Sequence, residues 1–247
     1  MAVIQKLDEA VTIFTVPFKR FGLIPIGGRS TAVKLASGKI VLFASHPNDD
    51  ATSKTLQEMG ETVSHIIALD AVHHMFLSDY IKAYPNAKLV GPKGLVSKRS
   101  ELHFDIVQPE NELDADLAKE FKAVALTGHP NEDIVWLHTP TKTLIEADAL
   151  FNLPCDNQKS GIFAYIFPNF FLRQMSPNTG FHRTVVKAFS KSNPSAFAEA
   201  ARVVDGWDFN KLIPCHGEVI QSAGTTNAAK EAWRNAYKGV MESNKTK

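Results

Sequence analysis

Within five positions the chain places Asp70, His73 and His74, three side chains able to hold a metal ion or move a proton. A neutral imidazole offers one nitrogen lone pair to zinc or iron, and a carboxylate offers charge-bearing oxygens. His129, Asp148 and His216 extend the candidate set further along the chain. Each has a structural reading when taken singly: a histidine caps a helix or is hydrogen-bonded in the core, and an aspartate caps the next element. His103 is left out of the set. Alternation in Leu102-His103-Phe104 puts it on the opposite face from its apolar neighbours, where it is exposed.

The elements that must position these residues give the set its coherence. Ile66–Leu69 is a short apolar run suited to a buried strand, and Phe76, Leu77, Tyr80 and Ile81 recur at helical spacing just after it. His73 and His74 therefore fall in a strand-to-helix turn. Adjacent residues inside a helix point about 100° apart, so the two can share one ligand only from that turn. His129 stands between Gly128 and Pro130 after the strand predicted over 121–126. Strands predicted over 134–138 and 143–147 lead to Asp148, and a brief strand over 211–214 leads to His216. All five metal-ligand candidates, His73, His74, His129, Asp148 and His216, thus follow predicted strands, where loops gather on one edge of a layered α/β protein and form its site.

Elsewhere, residues 11–16 alternate as a strand, and 31–35 and 39–44 form a hairpin across Ser37-Gly38 that begins an antiparallel β layer. Asn48-Asp49-Asp50 caps a helix that ends near Gly60, Gly91-Pro92-Lys93-Gly94 reads as a turn, and a closing helix runs from Ala228 to Met241. Gly27-Gly28 lacks both the P-loop and the dinucleotide spacing and reads as a turn without chemistry. From about 151 to 209, Phe151, Phe163, Tyr165, Phe167, Phe170, Phe171 and Phe181 accompany Pro154, Pro168 and Pro177. This stretch is expected to be an aromatic-rich insertion with two or three helices that roofs a pocket, packs on the core or forms a homodimer contact.

Composition bounds the alternatives. At 247 residues, 44% hydrophobic and 21% charged, the chain is expected to form a single globular domain over 1–247. Its formal net charge of +1 supplies no basic field for nucleic acid. The longest apolar stretch, Gly161 to Leu172, is interrupted by Pro168 and Asn169 and is too short to cross a bilayer. No positive region followed by an apolar one opens the chain, so a cytoplasmic location without membrane association is expected. The two cysteines, Cys155 and Cys215, form no CxxC motif, which suits a reducing compartment.

With its motifs in order, the sequence resembles the metallo-β-lactamase superfamily, and most closely a divergent branch, a domain of unknown function, whose HxHxDH motif is degenerate. LDAVHH at 69–74 stands for HxHxDH, TGH ends at His129, EADALF surrounds Asp148 and IPCHG surrounds His216. The resemblance implies a four-layer αββα sandwich of α/β class. It also implies that Leu69 and Ala71 occupy the first two histidine positions, which cripples the first metal position they would build with His129. His74, Asp148 and His216 match the second position, and His73 replaces its aspartate. One zinc ion is expected, with iron or manganese as alternatives, held by His74, Asp148 and His216 with His73 as a weaker ligand.

The function implied is a metal-dependent hydrolase acting on a small-molecule substrate, a small apolar ester or lactone, through a metal-activated water. Asp70, His73 and His129 are the candidate catalytic groups, with Asp70 or His73 orienting or deprotonating the water. Two rivals stand beside it: a metal-free pseudoenzyme or ligand-binding protein on the same fold, and a metal-free lyase or isomerase using His129 and His73 as acid and base.

Overall fold

The computed structural model describes residues 2–158 and 169–242; Phe163, Tyr165, Phe167 and Pro168 of the aromatic-rich stretch lie outside the described residues. The first sheet begins with β1 (Val3–Lys6) and β2 (Val11–Val16). A small ribbon of β3 (Lys19–Arg20) and β4 (Ile24–Pro25) stands apart, and β5 (Gly28–Lys34) and β6 (Ile40–Phe43) form the expected antiparallel hairpin. Helix α1 (Asp50–Met59) then carries the chain to β7 (Val63–Ile67). Asp49 caps α1, its Oδ1 accepting from Thr52 N at 2.9 Å.

After β7 come α2 (Leu77–Ala83), β8 (Lys88–Pro92), α3 (Lys93–Lys98), β9 (Ile106–Gln108) and α4 (Ala115–Glu120). Two expectations change here. Strands β6, β7, β8 and β9 run parallel, so the layer is mixed rather than antiparallel. Helical connections make this pairing available, because parallel neighbours need a crossover instead of a tight turn. The predicted turn at 91–94 is the end of β8 and the first turn of α3.

The second sheet is β10 (Phe121–Ala125), β11 (Ile134–His138), β12 (Thr143–Glu146), β13 (Lys211–Pro214) and β14 (Ile220–Gln221), in that order. Strands β12 and β13 pair in parallel, Thr143 opposite Lys211, across a long connection that includes α5 (Asn169–Arg173), α6 (Gly180–Phe189) and α7 (Pro194–Gly206). Helix α8 (Ala228–Glu242) follows β14.

Both sheets are buried on two faces, and side-chain alternation sorts their residues into layers. In β6, Val41 and Phe43 face the second sheet with Ile67, Trp136, Ile145 and Ile213. Ile40 and Leu42 face the other way, onto Leu56 of α1 and Leu77 and Tyr80 of α2. In β11, Ile134 and Trp136 join the core between the sheets, while Val135 and Leu137 pack with Phe197 of α7 and Trp233 and Tyr237 of α8. The result is helix, sheet, sheet, helix: the four-layer αββα sandwich. No helix among the described residues is long and apolar enough to cross a membrane.

Candidate metal centre

Beyond β7 the chain is folded around Asp70, which is fully buried. Its Oδ1 accepts from Val72 N (2.9 Å) and His73 N (2.7 Å), and its Oδ2 accepts from His73 Nδ1 (2.8 Å). The aspartate thus shapes the turn and fixes the ring of the third residue after it. Committing Nδ1 as donor leaves Nε2 to face inward. His74 follows the opposite course. Its ring Nδ1 lies 3.3 Å from Arg99 Nη1, and its carbonyl accepts from the same nitrogen at 2.8 Å. The physical reason is the one that divides adjacent positions at a helix start: the Asp70 turn selects His73, so His74 projects away. It is therefore His73, and not His74, that joins the cluster.

The end of β13 supplies the opposite wall. Arg29 Nη1 donates to Pro214 O at 2.6 Å, Cys215 N donates to Glu146 O at 3.1 Å, and Gln158 Nε2 donates to Cys215 O at 2.8 Å. His216 Nδ1 donates to Gly27 O at 2.6 Å, and its ring stacks on Phe151, nearly parallel at 5.5 Å. Gly27-Gly28, read from sequence as a turn without chemistry, is thus part of the site. Gly27 has φ +69°, and a Cβ there would lie 2.0 Å from Gln158 Cβ. The carbonyl that orients His216 is available because Gln158 can pack flush against that backbone.

Nε2 of His73 and Nε2 of His216 are 3.0 Å apart. Each ring has its Nδ1 tied to an acceptor, so both lone pairs converge on one point unless a proton or a cation lies between them. Asp148 Oδ1 is 3.3 Å from His216 Nε2 and has no closer polar partner among the described residues. Its Oδ2 accepts from Asn131 Nδ2 at 2.6 Å. Asp148 N donates to Asp133 Oδ2 at 2.5 Å, and Asp133 is fully buried.

The electrostatics ask for positive charge at this point. Burial works against a charged His73, but Asp70 above all, with Cys215 and Asp148, outweighs it and raises its pKa well above 6.5. Burial likewise opposes the charge on Asp148, yet His73 and His216 hold its carboxyl below the usual range. Burial drives the pKa of Asp133 strongly upward, with Asp70 and Asp148 adding to it. Burial would push the Cys215 thiol up as well, but His216 and His73 bring it down to about 7.

His129 shows what became of the first position. Leu69 and Ala71 are buried in the inter-sheet core and in the outer layer respectively. Packed hydrocarbon thus stands where the resemblance places two ligands. His129 is buried against Phe189, with ring centroids 4.6 Å apart, and Nδ1 accepts from Asn131 N at 3.2 Å while Nε2 has no partner. Burial outweighs the pull of Asp148 and Asp70 and lowers its pKa to about 4.

The donor atoms of Asp70, His73 and Asp148 lie within 4.8 Å of one another, as do those of His73, Cys215 and His216. Cys215, Asp133, Gln158 and the Gly27 carbonyl were not candidates in the sequence. Cys215 alone carried a signal, its place beside His216. The cluster opens onto a cavity of about 550 Å³ whose lining includes Phe18, Phe21, Ile26, Met75 and Phe76, with His73, Cys215 and His216 also on its wall. These apolar residues come from the segments around β3 and before α2. Phe170 and Phe171, in the stretch expected to roof a pocket, pack on the core or form a homodimer contact, are exposed and are not among its lining residues.

No protein-family model and no curated protein sequence matches the chain. Solved structures do. A metallo-β-lactamase from Pontibacter korlensis aligns over 98% of this chain and 100% of its own, with TM-score 0.58 and 11% identity. A metallo-β-lactamase from Hirschia baltica aligns over 97% of each chain, with TM-score 0.61 and 14% identity. The Flv1 flavodiiron core from Synechocystis sp. PCC6803 aligns over 98% of this chain and 61% of that one, with TM-score 0.66 and 15% identity. The chain has the metallo-β-lactamase fold.

Proposed function

We propose that the protein is a metal-dependent hydrolase with one divalent ion at the His73–His216 junction, acting on a small apolar ester or lactone. The observation that carries this reading is the 3.0 Å approach of two imidazole Nε2 atoms whose Nδ1 atoms are both committed. Carboxylate or carbonyl partners behind metal-binding histidines do this work in metal sites generally. The donors fit: two imidazoles and the unsatisfied Asp148 Oδ1 make a His₂Asp set suited to zinc, and a three-ligand set leaves the open position catalysis needs. Likeness to a flavodiiron core makes iron the alternative.

When bound, such an ion supplies Lewis acidity and a water acidified to a pKa of about 7. The chain's own groups do the rest. Asp70 holds His73 in one tautomer, the Gly27 carbonyl does the same for His216, and Asn131 orients Asp148. The mainly apolar cavity, with Arg20 also on its wall, suits a small ester or lactone.

Metal content of untagged protein tests the reading. Near one equivalent of zinc or iron is expected in wild type and in His74→Ala, and its loss in His73→Ala and His216→Ala. Absence of metal in wild type after incubation with zinc, iron and manganese would sink the proposal. It would favour the metal-free binding protein, which the raised pKa of His73 supports: an imidazolium there places positive charge among Asp70 and Asp148 without an ion.

A further inference from the structure

Cys215 is a group at this junction to which the hydrolase reading gives no part. Its side chain is almost wholly buried yet reaches the cavity wall between His73 and His216. Its sulfur and one nitrogen from each of these histidines lie within 4.8 Å of one another. Tetrahedral zinc with nitrogen ligands at about 2.1 Å and sulfur at about 2.3 Å requires donors roughly 3.3–3.8 Å apart. The observed 3.0 Å between the imidazoles and the 4.8 Å ceiling for the sulfur therefore bracket what an ion would draw together.

The backbone of Cys215 is held on both sides, its N–H on Glu146 O and its carbonyl on Gln158 Nε2, so the sulfur's position is set by β13 and not by a free loop. Cys155 differs in this respect. Also free and buried, it takes a long 3.8 Å contact from Arg29 Nη2 and belongs to no donor cluster among the described residues.

We propose that Cys215 Sγ is a ligand of the same ion, alongside His73 and His216, giving the centre a sulfur donor. This rests on the metal reading above and deepens it. A thiolate donor favours zinc or cobalt over manganese and magnesium, which prefer oxygen sets. On coordination the thiol gives its proton to solvent, so metal uptake releases a proton. Zinc tolerates expansion beyond four ligands, so a sulfur donor added to the set would still leave room for a substrate oxygen.

Cobalt(II) is the probe. Metal-free, full-length protein is titrated with cobalt and its absorption recorded for wild type, Cys215→Ser and Cys155→Ser, with bound cobalt measured in parallel. Expected is an intense near-ultraviolet sulfur-to-cobalt charge-transfer band in wild type and Cys155→Ser that is lost in Cys215→Ser. Bound cobalt without that band in wild type would overturn the sulfur ligand and leave the histidine–aspartate site standing. Disappearance of the band in Cys155→Ser instead would overturn the Cys215 ligand equally. Failure of wild type to take up either cobalt or zinc would overturn both readings. Because wild type and Cys155→Ser decide the matter, a Cys215→Ser protein that fails to fold does not protect the proposal.

Discussion

Asp70 uses both carboxylate oxygens, one on the turn and one on the His73 ring, and this double use explains why one of two adjacent histidines enters the site. Asp70→Asn keeps the shape but presents an amide N–H or an unequal acceptor to His73 Nδ1, disturbing the tautomer whose Nε2 faces His216. Metal affinity is expected to fall by about 10- to 100-fold while the fold persists, as read by zinc competition titration and circular dichroism. The residue set Asp70, His73, Asp148 and His216 was legible as residue types after strands. The choice between His73 and His74 was not, because alignment by motif favours the terminal histidine whereas the Asp70 hydrogen bonds favour its neighbour.

At the scale of elements, the strand ends deliver the candidate ligands and the turns behind them hold the delivery in place. Gly217, with φ +109°, lets the chain leave His216 beside Asn152; a Cβ there would stand 2.2 Å from Asn152 O. Gly217→Ala is expected to cost about 1–3 kcal/mol in urea denaturation and to weaken metal binding by displacing His216. A normal unfolding midpoint would show that the loop relaxes at no cost. Hairpins such as β5–β6 and β11–β12 were readable, since alternation and turn residues lie within one local stretch. The parallel partners of β6 and β12 were not, because nothing local names a strand that arrives after a helix.

Across the whole molecule, the four layers bury other histidines besides those on the cavity wall. His46, held by Ser30 Oγ and Thr52 Oγ1, and His182, which accepts from Phe151 N, are lowered by burial from 6.5 to about 4. Both stay neutral in the folded protein while the unfolded chain takes up protons below 6.5, so the unfolded state binds more protons in this window. Stability is then full above pH 6.5 and falls progressively towards pH 4, by on the order of a few kcal/mol for each histidine. Urea midpoints measured across that range check this: a flat profile would contradict it.

What the sequence by itself determined is the class of elements, the buried strands and the placement of His73, His129, Asp148 and His216 just past strand ends, because periodicity and turn chemistry act over a few residues. Only the tertiary structure decided which of these meet. It turned His74 towards Arg99 and set the Gly27 carbonyl, 189 positions away in sequence, behind His216. It packed Leu69 and Ala71 into two different apolar layers, and it brought Cys215 to the cavity wall. The physical reason is that convergence at the site depends on packing two sheets face to face, and that packing is a property of contacts between segments far apart in the chain.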